Sequence, residues 1–292
     1  MMMKHMAMLA FFIVSGVVLL ALQQPPAGAP GQTPARGRGG FRQPDPIDFN
    51  EHDGWTSLFD GKTLAGWSGD NNWKVEDGAI TIESTCEKPT GTVYLVWQGG
   101  EAADFELKLE MKGTGNINGG VQYRGWIAPL PQRGGPPAGN RGGRGPEGPC
   151  PSGEPRGTPP DPTSEQQWNM WGAQYDFDAA NRYTGQYYEQ STGRGIVAWK
   201  AQAVRTEPGK GTRLVATLGE PGVIDTYYKP NEWNALHIIA IGNQMTHLLN
   251  GHVISILVDE DAANFHKGGK IGIEVEATGK LFTRNIWLKK LK

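Results

Sequence analysis

The sequence lacks a surplus of basic residues: 28 Lys and Arg stand against 30 Asp and Glu, a formal net charge of −2. Gripping phosphates needs a positive surface, so nucleic acid is set aside as a partner. Only two cysteines occur, and no CxxC pair or histidine-rich tract offers a structural metal site. Convincing amphipathic helices of any length are missing too, which excludes bundles and alternating α/β folds. The one long apolar run, from about Ala7 to Leu22, falls short of the roughly 20 residues a membrane helix needs.

That run follows Lys4 and precedes a Gln-Gln-Pro-Pro stretch, so residues 1–22 read as a signal peptide, with an uncleaved anchor as the alternative. Either way the folded part is expected in the periplasm or outside the cell, touching a membrane only through this segment. Cys86 and Cys150 fit that compartment as one disulfide, or remain two free thiols.

Residues 23–50 are rich in Pro, Gly, Ala, Gln and Arg and read as a disordered linker before a domain over 51–292. A second tract, 127–167, is also rich in Pro and Gly; it is a lid over a site or a plain surface insertion. Elsewhere strand follows strand. Phe105, Leu107, Leu109 and Met111 alternate with Glu106, Lys108 and Glu110, a period of two. Val121 and Tyr123 alternate with Gln122 and Arg124, and Tyr175 and Phe177 with Gln174, Asp176 and Asp178. Further strands span about 233–241, 244–249, 252–258, 270–275 and 281–288, with Asn250-Gly251 as a hairpin turn. The pattern predicts an all-β sandwich or jelly roll of two packed antiparallel sheets.

One face of each sheet then meets water. Its polar residues are Lys108, Glu110, Gln122, Arg124, Gln174, Asp176, Asp178, Glu274 and Glu276. Mixed charges on a solvated face serve solubility by default. Gly119-Gly120 before Gln122, however, lets something approach the backbone. Trp126, Trp168 and Trp171 supply planes on which sugar rings stack. Carboxylates and an arginine on neighbouring strands combine a base, an acid and an electrostatic stabiliser. Tyr188, Glu189 and Arg194 belong to a rim segment rich in groups that bind hydroxyls, or to a satisfied turn. His247 shares the apolar face of Met245 and Leu249 and reads as a core histidine.

The run Trp55-Thr56-Ser57-Leu58-Phe59-Asp60-Gly61-Lys62, then Gly66-Trp67, resembles the opening of the 3-keto-disaccharide hydrolase domain family. Asp104-Phe105-Glu106-Leu107, Gly119-Gly120-Val121-Gln122-Tyr123-Arg124, Gly172-Ala173-Gln174-Tyr175-Asp176 and Thr246-His247-Leu248-Leu249-Asn250-Gly251 continue the series in order. The resemblance implies a concanavalin-like jelly roll and cleavage of a glycoside whose sugar carries a ketone at carbon 3. Under that reading Asp176 or Glu274 is the base, and Arg124 or a divalent metal stabilises the enolate. Gln122, Gln174 and Glu189 contact hydroxyls or the leaving group, with Tyr188, Arg194, Trp126 and Trp171 around the sugar. Many members have a histidine where this chain has Glu276, so Glu276 becomes a substitute base or, with Glu274, a metal ligand. A lectin-like module without catalysis is the rival, because the same fold hosts many sugar binders.

Overall fold

Alternation of period two resolves into two sheets packed face to face in the computed structural model, which describes residues 45, 47–70, 72–128, 150–159 and 168–291. The predicted signal segment and nearly all of the linker lie outside these residues, as does most of the Pro/Gly-rich tract. The chain from Ile47 onward forms the sandwich.

The ten-stranded sheet runs β12 (Gly211–Thr217), β11 (Gln202–Glu207), β15 (His252–Asp259), β14 (Gln244–Leu249), β13 (Asn234–Ile241), β6 (Phe105–Gly113), β17 (Gly279–Lys290), β4 (Ala79–Ser84) and β3 (Lys74–Glu76). A tenth strand, β1 (Thr56–Ser57), pairs with β17. The seven-stranded sheet runs β10 (Gly195–Ala198), β9 (Tyr187–Gln190), β8 (Met170–Asp178), β7 (Asn118–Ile127), β16 (Lys270–Glu276), β5 (Val93–Trp97) and β2 (Trp67–Gly69). The pairing is antiparallel with one correction to expectation: β11 lies parallel to β15. Helix is confined to α1 (Pro221–Asp225) among the described residues.

Between the sheets, Leu107, Leu109, Leu236 and Ile238 from one meet Val121, Tyr123, Tyr175, Ile273 and Val275 from the other, all buried. At roughly 25 cal/mol per Å² of apolar surface, this layer is the main force holding the two sheets together. His247 sits in it, its Nε2 2.7 Å from the Tyr123 hydroxyl and its Nδ1 3.2 Å from the Gly185 carbonyl. Burial lowers its pKa to about 3, so it stays a neutral core group. The Asn250-Gly251 turn has φ of 49° and 84°, the two left-handed residues that match the twist of a tight hairpin.

Two residues expected on the same face as the carboxylates lie elsewhere. Lys108 and Glu110 belong to β6, on the outer side of the ten-stranded sheet. There Lys108 is only 2% exposed, its ammonium donating to the Asp48 carbonyl at 3.1 Å and lying 4.5 Å from the Trp55 ring. It pins the start of the domain to the sheet rather than serving a site.

Cys86 and Cys150 are joined, closing a span of 64 residues. A cross-link of that length removes much freedom from the unfolded chain. We expect the Cys86→Ser/Cys150→Ser double variant to lose about 2–4 kcal/mol of stability, read from the urea midpoint; an unchanged midpoint would count against the bridge.

Candidate functional site

The candidate face is the outer side of the seven-stranded sheet, and strand register decides which residues share it. On one rung Tyr94 pairs with Glu274, Glu274 with Gly120, and Gly120 with Asp176. On the next, Val96, Gly272, Gln122, Gln174 and Tyr188 line up across five strands. The two carboxyls therefore face each other across a glycine, their backbones two strand spacings, about 10 Å, apart. A Cβ at Gly120 would lie 2.3 Å from the Tyr175 carbonyl and 2.8 Å from the Gln174 amide nitrogen, so no larger residue fits between them.

Amides tie the acids together. Gln122 Nε2 donates to Gln174 Oε1 at 3.2 Å, and Gln174 Nε2 donates to Glu274 Oε2 at 3.2 Å. Gln186 Nε2 donates to Asp176 Oδ2 at 2.5 Å. Three acceptors in the network, Gln122 Oε1, Gln186 Oε1 and Glu274 Oε1, are buried without a hydrogen-bond partner. The two amide oxygens, Gln122 Oε1 and Gln186 Oε1, can only accept, so they are satisfied by hydrogens that something else brings to the face. Beside it stands an apolar wall of Tyr94, Val96 and Met170, with Ile127 and Trp168 packed against it. Gln190 reaches over to donate to the Tyr94 hydroxyl at 3.0 Å. Polar forks beside an apolar wall suit a sugar ring.

Burial raises both carboxyl pKa values well above their usual range. For Asp176 the Gln186 bond offsets part of this, while the Glu276 and Asp178 carboxylates push the same way as burial. For Glu274 the neighbouring charges of Glu276 and Asp176 add to it. Glu276 itself accepts from Asn118 Nδ2 at 2.9 Å. No group of three or more His, Cys, Asp or Glu side chains among the described residues is placed to share a metal ion. The Glu274 and Glu276 ligand pair expected from sequence thus lacks a third such partner, and no step is assigned to a metal.

Asp176, Glu274, Gln122, Gln174 and Tyr188 are brought to this face; Arg124, Glu189, Arg194, Trp126 and Trp171 are not. In β7 the register shifts between Gln122 and Trp126, and Arg124 adopts a left-handed φ of 50°. A bulge breaks the period of two. Arg124 instead donates to the Ala103 carbonyl at 2.8 Å and the Gly242 carbonyl at 2.9 Å, and pairs with Asp104 at 3.2 Å. That corrects its expected role beside the acids. Glu189 stands opposite Ala173, on the inner side of β9, while Tyr188 opposite Gln174 faces out. There Arg194 Nη1 bridges Glu189 and Asp259, each at 2.8 Å. Trp126 stacks on His266 at 4.0 Å and lies 6.5 Å from Trp171, beyond the bulge. Gln190, from the rim segment read in the sequence, joins the face, and Gln186 and Tyr94 complete it without having been read there.

Carboxyls whose pKa is raised by burial give a pH signature. Above a pH of about 4 the unfolded chain has ionised these groups while the native state still holds protons. The native state then binds more protons, so stability falls as pH rises toward the native pKa values. Glu274→Gln removes one such group. Its thermal midpoint is expected to exceed the parent's by more at pH 8 than at pH 4, and an equal or smaller gain at pH 8 would contradict the burial argument.

Several solved structures are similar to the chain at low identity. A candidate glycosyl hydrolase from Parabacteroides distasonis is 17% identical, with 82% of this chain and 95% of that one covered and a TM-score of 0.45. Carbohydrate-binding module CBM66 from Bacillus subtilis is 12% identical over 77% and 96%, TM-score 0.43. A protein of unknown function with a galectin-like fold, also from Bacillus subtilis, is 11% identical over 78% and 90%, TM-score 0.45. No curated protein matches the chain. Residues 54–289, nearly the whole sandwich, match the 3-keto-alpha-glucoside-1,2-lyase-like domain, and the chain belongs to that family.

Proposed function

We propose that the protein cleaves glycosides whose sugar is oxidised to a ketone at carbon 3, by elimination across C1 and C2 followed by hydration. The observation that carries this reading is the Glu274–Gly120–Asp176 rung with its orphaned acceptors. Hydroxyls of a sugar supply the donors those acceptors lack. The Asp176 charge adds to burial in raising the Glu274 pKa, which favours a state in which one acid keeps a proton and the other does not. That is the pairing an elimination needs: a base at C2 and an acid at the leaving oxygen.

Glu274 acts as the base in the state where it has lost its proton and Asp176 keeps its own; Oε1, which no protein donor occupies, is the oxygen open to the C2 proton. It takes the C2 proton, which the neighbouring ketone acidifies, and the C–H electron pair passes into an enolate on the C3 oxygen. The Gln174 amide, between the two acids, is the donor placed for that oxygen. Collapse of the enolate breaks the C1–O bond, and Asp176 gives its proton to the departing oxygen. The product is a C1=C2 enone; water then adds its hydroxyl at C1 and a proton returns to C2, yielding the free 3-keto sugar. Arg124, held away from this face, takes no part.

The protein is also exported in this reading. A Cys86–Cys150 disulfide is stable in an oxidising compartment, and the N-terminal apolar run fits a signal sequence. Sequencing the mature N-terminus from its host is expected to find the first 22 or so residues gone; recovery in the cytoplasm with both thiols reduced would refute export.

Activity is tested on 3-keto-trehalose and 3-keto-lactose beside the unoxidised sugars. We expect turnover of the keto sugars only, with Glu274→Gln and Asp176→Asn each lowering kcat about 10²–10⁴-fold. Sugar binding without turnover of any of them would replace the enzyme with a carbohydrate-binding module.

A further inference from the structure

An outer sheet face ordinarily meets water, yet the polar residues on the outer side of the seven-stranded sheet do not. Gln122, Gln174 and Glu274 face outward and are 0%, 3% and 1% exposed. Side chains from other strands lie across the same face. Met170 leaves β8 and passes over β7 and β16, where glycines leave room for it. A Cβ at Gly125 would lie 3.0 Å from its Cε, and one at Gly272 only 2.3 Å from its Sδ. On the far side it packs with Val96 and Tyr94 of β5.

Tyr94 and Gln190 complete the crossing. Their strands, β5 and β9, stand four spacings apart in the sheet, about 19 Å along it. The side chains nevertheless meet, Gln190 Nε2 donating to the Tyr94 hydroxyl at 3.0 Å. A bond over that span needs a concave face with little rising between. Tyr94 starts on the Glu274 rung, and Gln190 stands opposite Gly172, two residues from Gln174. The bond therefore runs diagonally above β16, β7 and β8, the strands that carry Glu274, Gln122 and Gln174.

We propose that Tyr94 and Gln190 form a latch that holds this face shut when no sugar is bound, with Met170 filling the space a sugar ring takes when it opens. The role rests on the face being the site of the proposed reaction. Shut, the latch leaves Gln122 Oε1 and Glu274 Oε1 buried without donors, a cost that admitting water or a sugar hydroxyl removes. One hydrogen bond between neutral groups works against that cost, so the open state lies within reach. Met170, unbranched and flexible, is a side chain that can swing aside. A ligand that needs the acids binds the open state, and its apparent affinity falls with the fraction of molecules that is shut.

Gln190→Leu removes the donor while keeping the bulk, and Tyr94→Phe removes the acceptor. The purified full-length protein is treated with a water-soluble carbodiimide and glycinamide. Tagged Glu274 and Asp176 are then counted by peptide mass mapping, with the exposed Glu83 as the reference. Each variant is expected to raise tagging of the two acids about 5-fold, the population change for one lost hydrogen bond, with Glu83 unchanged. KM for 3-keto-trehalose is expected to fall by a similar factor. Parent Glu274 tagged as fast as Glu83 overturns the latch, as does tagging that neither variant raises. A KM that rises makes these side chains part of the wall the sugar packs against, and overturns it too. Tagging needs no turnover, so the latch and the proposed reaction fail separately.

Discussion

Two carboxyls are kept out of water on either side of a single glycine strand, and the rest of the face answers that constraint. Removing carboxylates from solvent is costly, so they either find donors or keep their protons. Here amides from Gln174 and Gln186 supply one donor to each acid, and burial holds the remaining charge back. Gly120 lets β7, β8 and β16 run side by side without a side chain between the acids. The core beneath, from Val121, Tyr175 and Ile273, fixes the rung geometry, because a slip of one residue would turn each strand's polar half inward.

The same face shows why polarity and apolar surface sit together. Tyr94, Val96 and Met170 give a wall that excludes water, which strengthens every charge interaction beside it. Buried acceptors without donors cost stability, and in the proposed reaction the sugar's hydroxyls satisfy them. A site of this kind is more stable filled than empty, and its cost when empty is borne by the sandwich core.

Much of this was legible in the sequence, for a physical reason. Period-two alternation around Leu107, Tyr175 and Ile273 specified which residues enter the core, and so placed Gln122, Gln174, Asp176 and Glu274 on one outer face. Asn250-Gly251 specified a hairpin because few other pairs adopt two left-handed residues. Alternation failed where register changed. The β7 bulge turned Arg124 toward Ala103 and Asp104, and bulges leave no periodic trace. Glu189 and Tyr188 sit side by side in sequence, and only the pairing with β8 tells which one faces out. Tyr94 lay hidden in the continuous apolar run of β5, and Gln186 in a loop just before β9, where no period marks a side.

In the proposed reaction a carboxylate removes the C2 proton before the glycosidic bond is cleaved. The direct measurement is turnover of a 3-keto-α-glucoside in D2O, followed by NMR of the free 3-keto sugar. Elimination and hydration predict one deuterium at C2 of the product, formed at a rate that falls with Glu274→Gln. A product that retains its original hydrogen at C2 would contradict the account, since direct hydrolysis at C1 never breaks that bond.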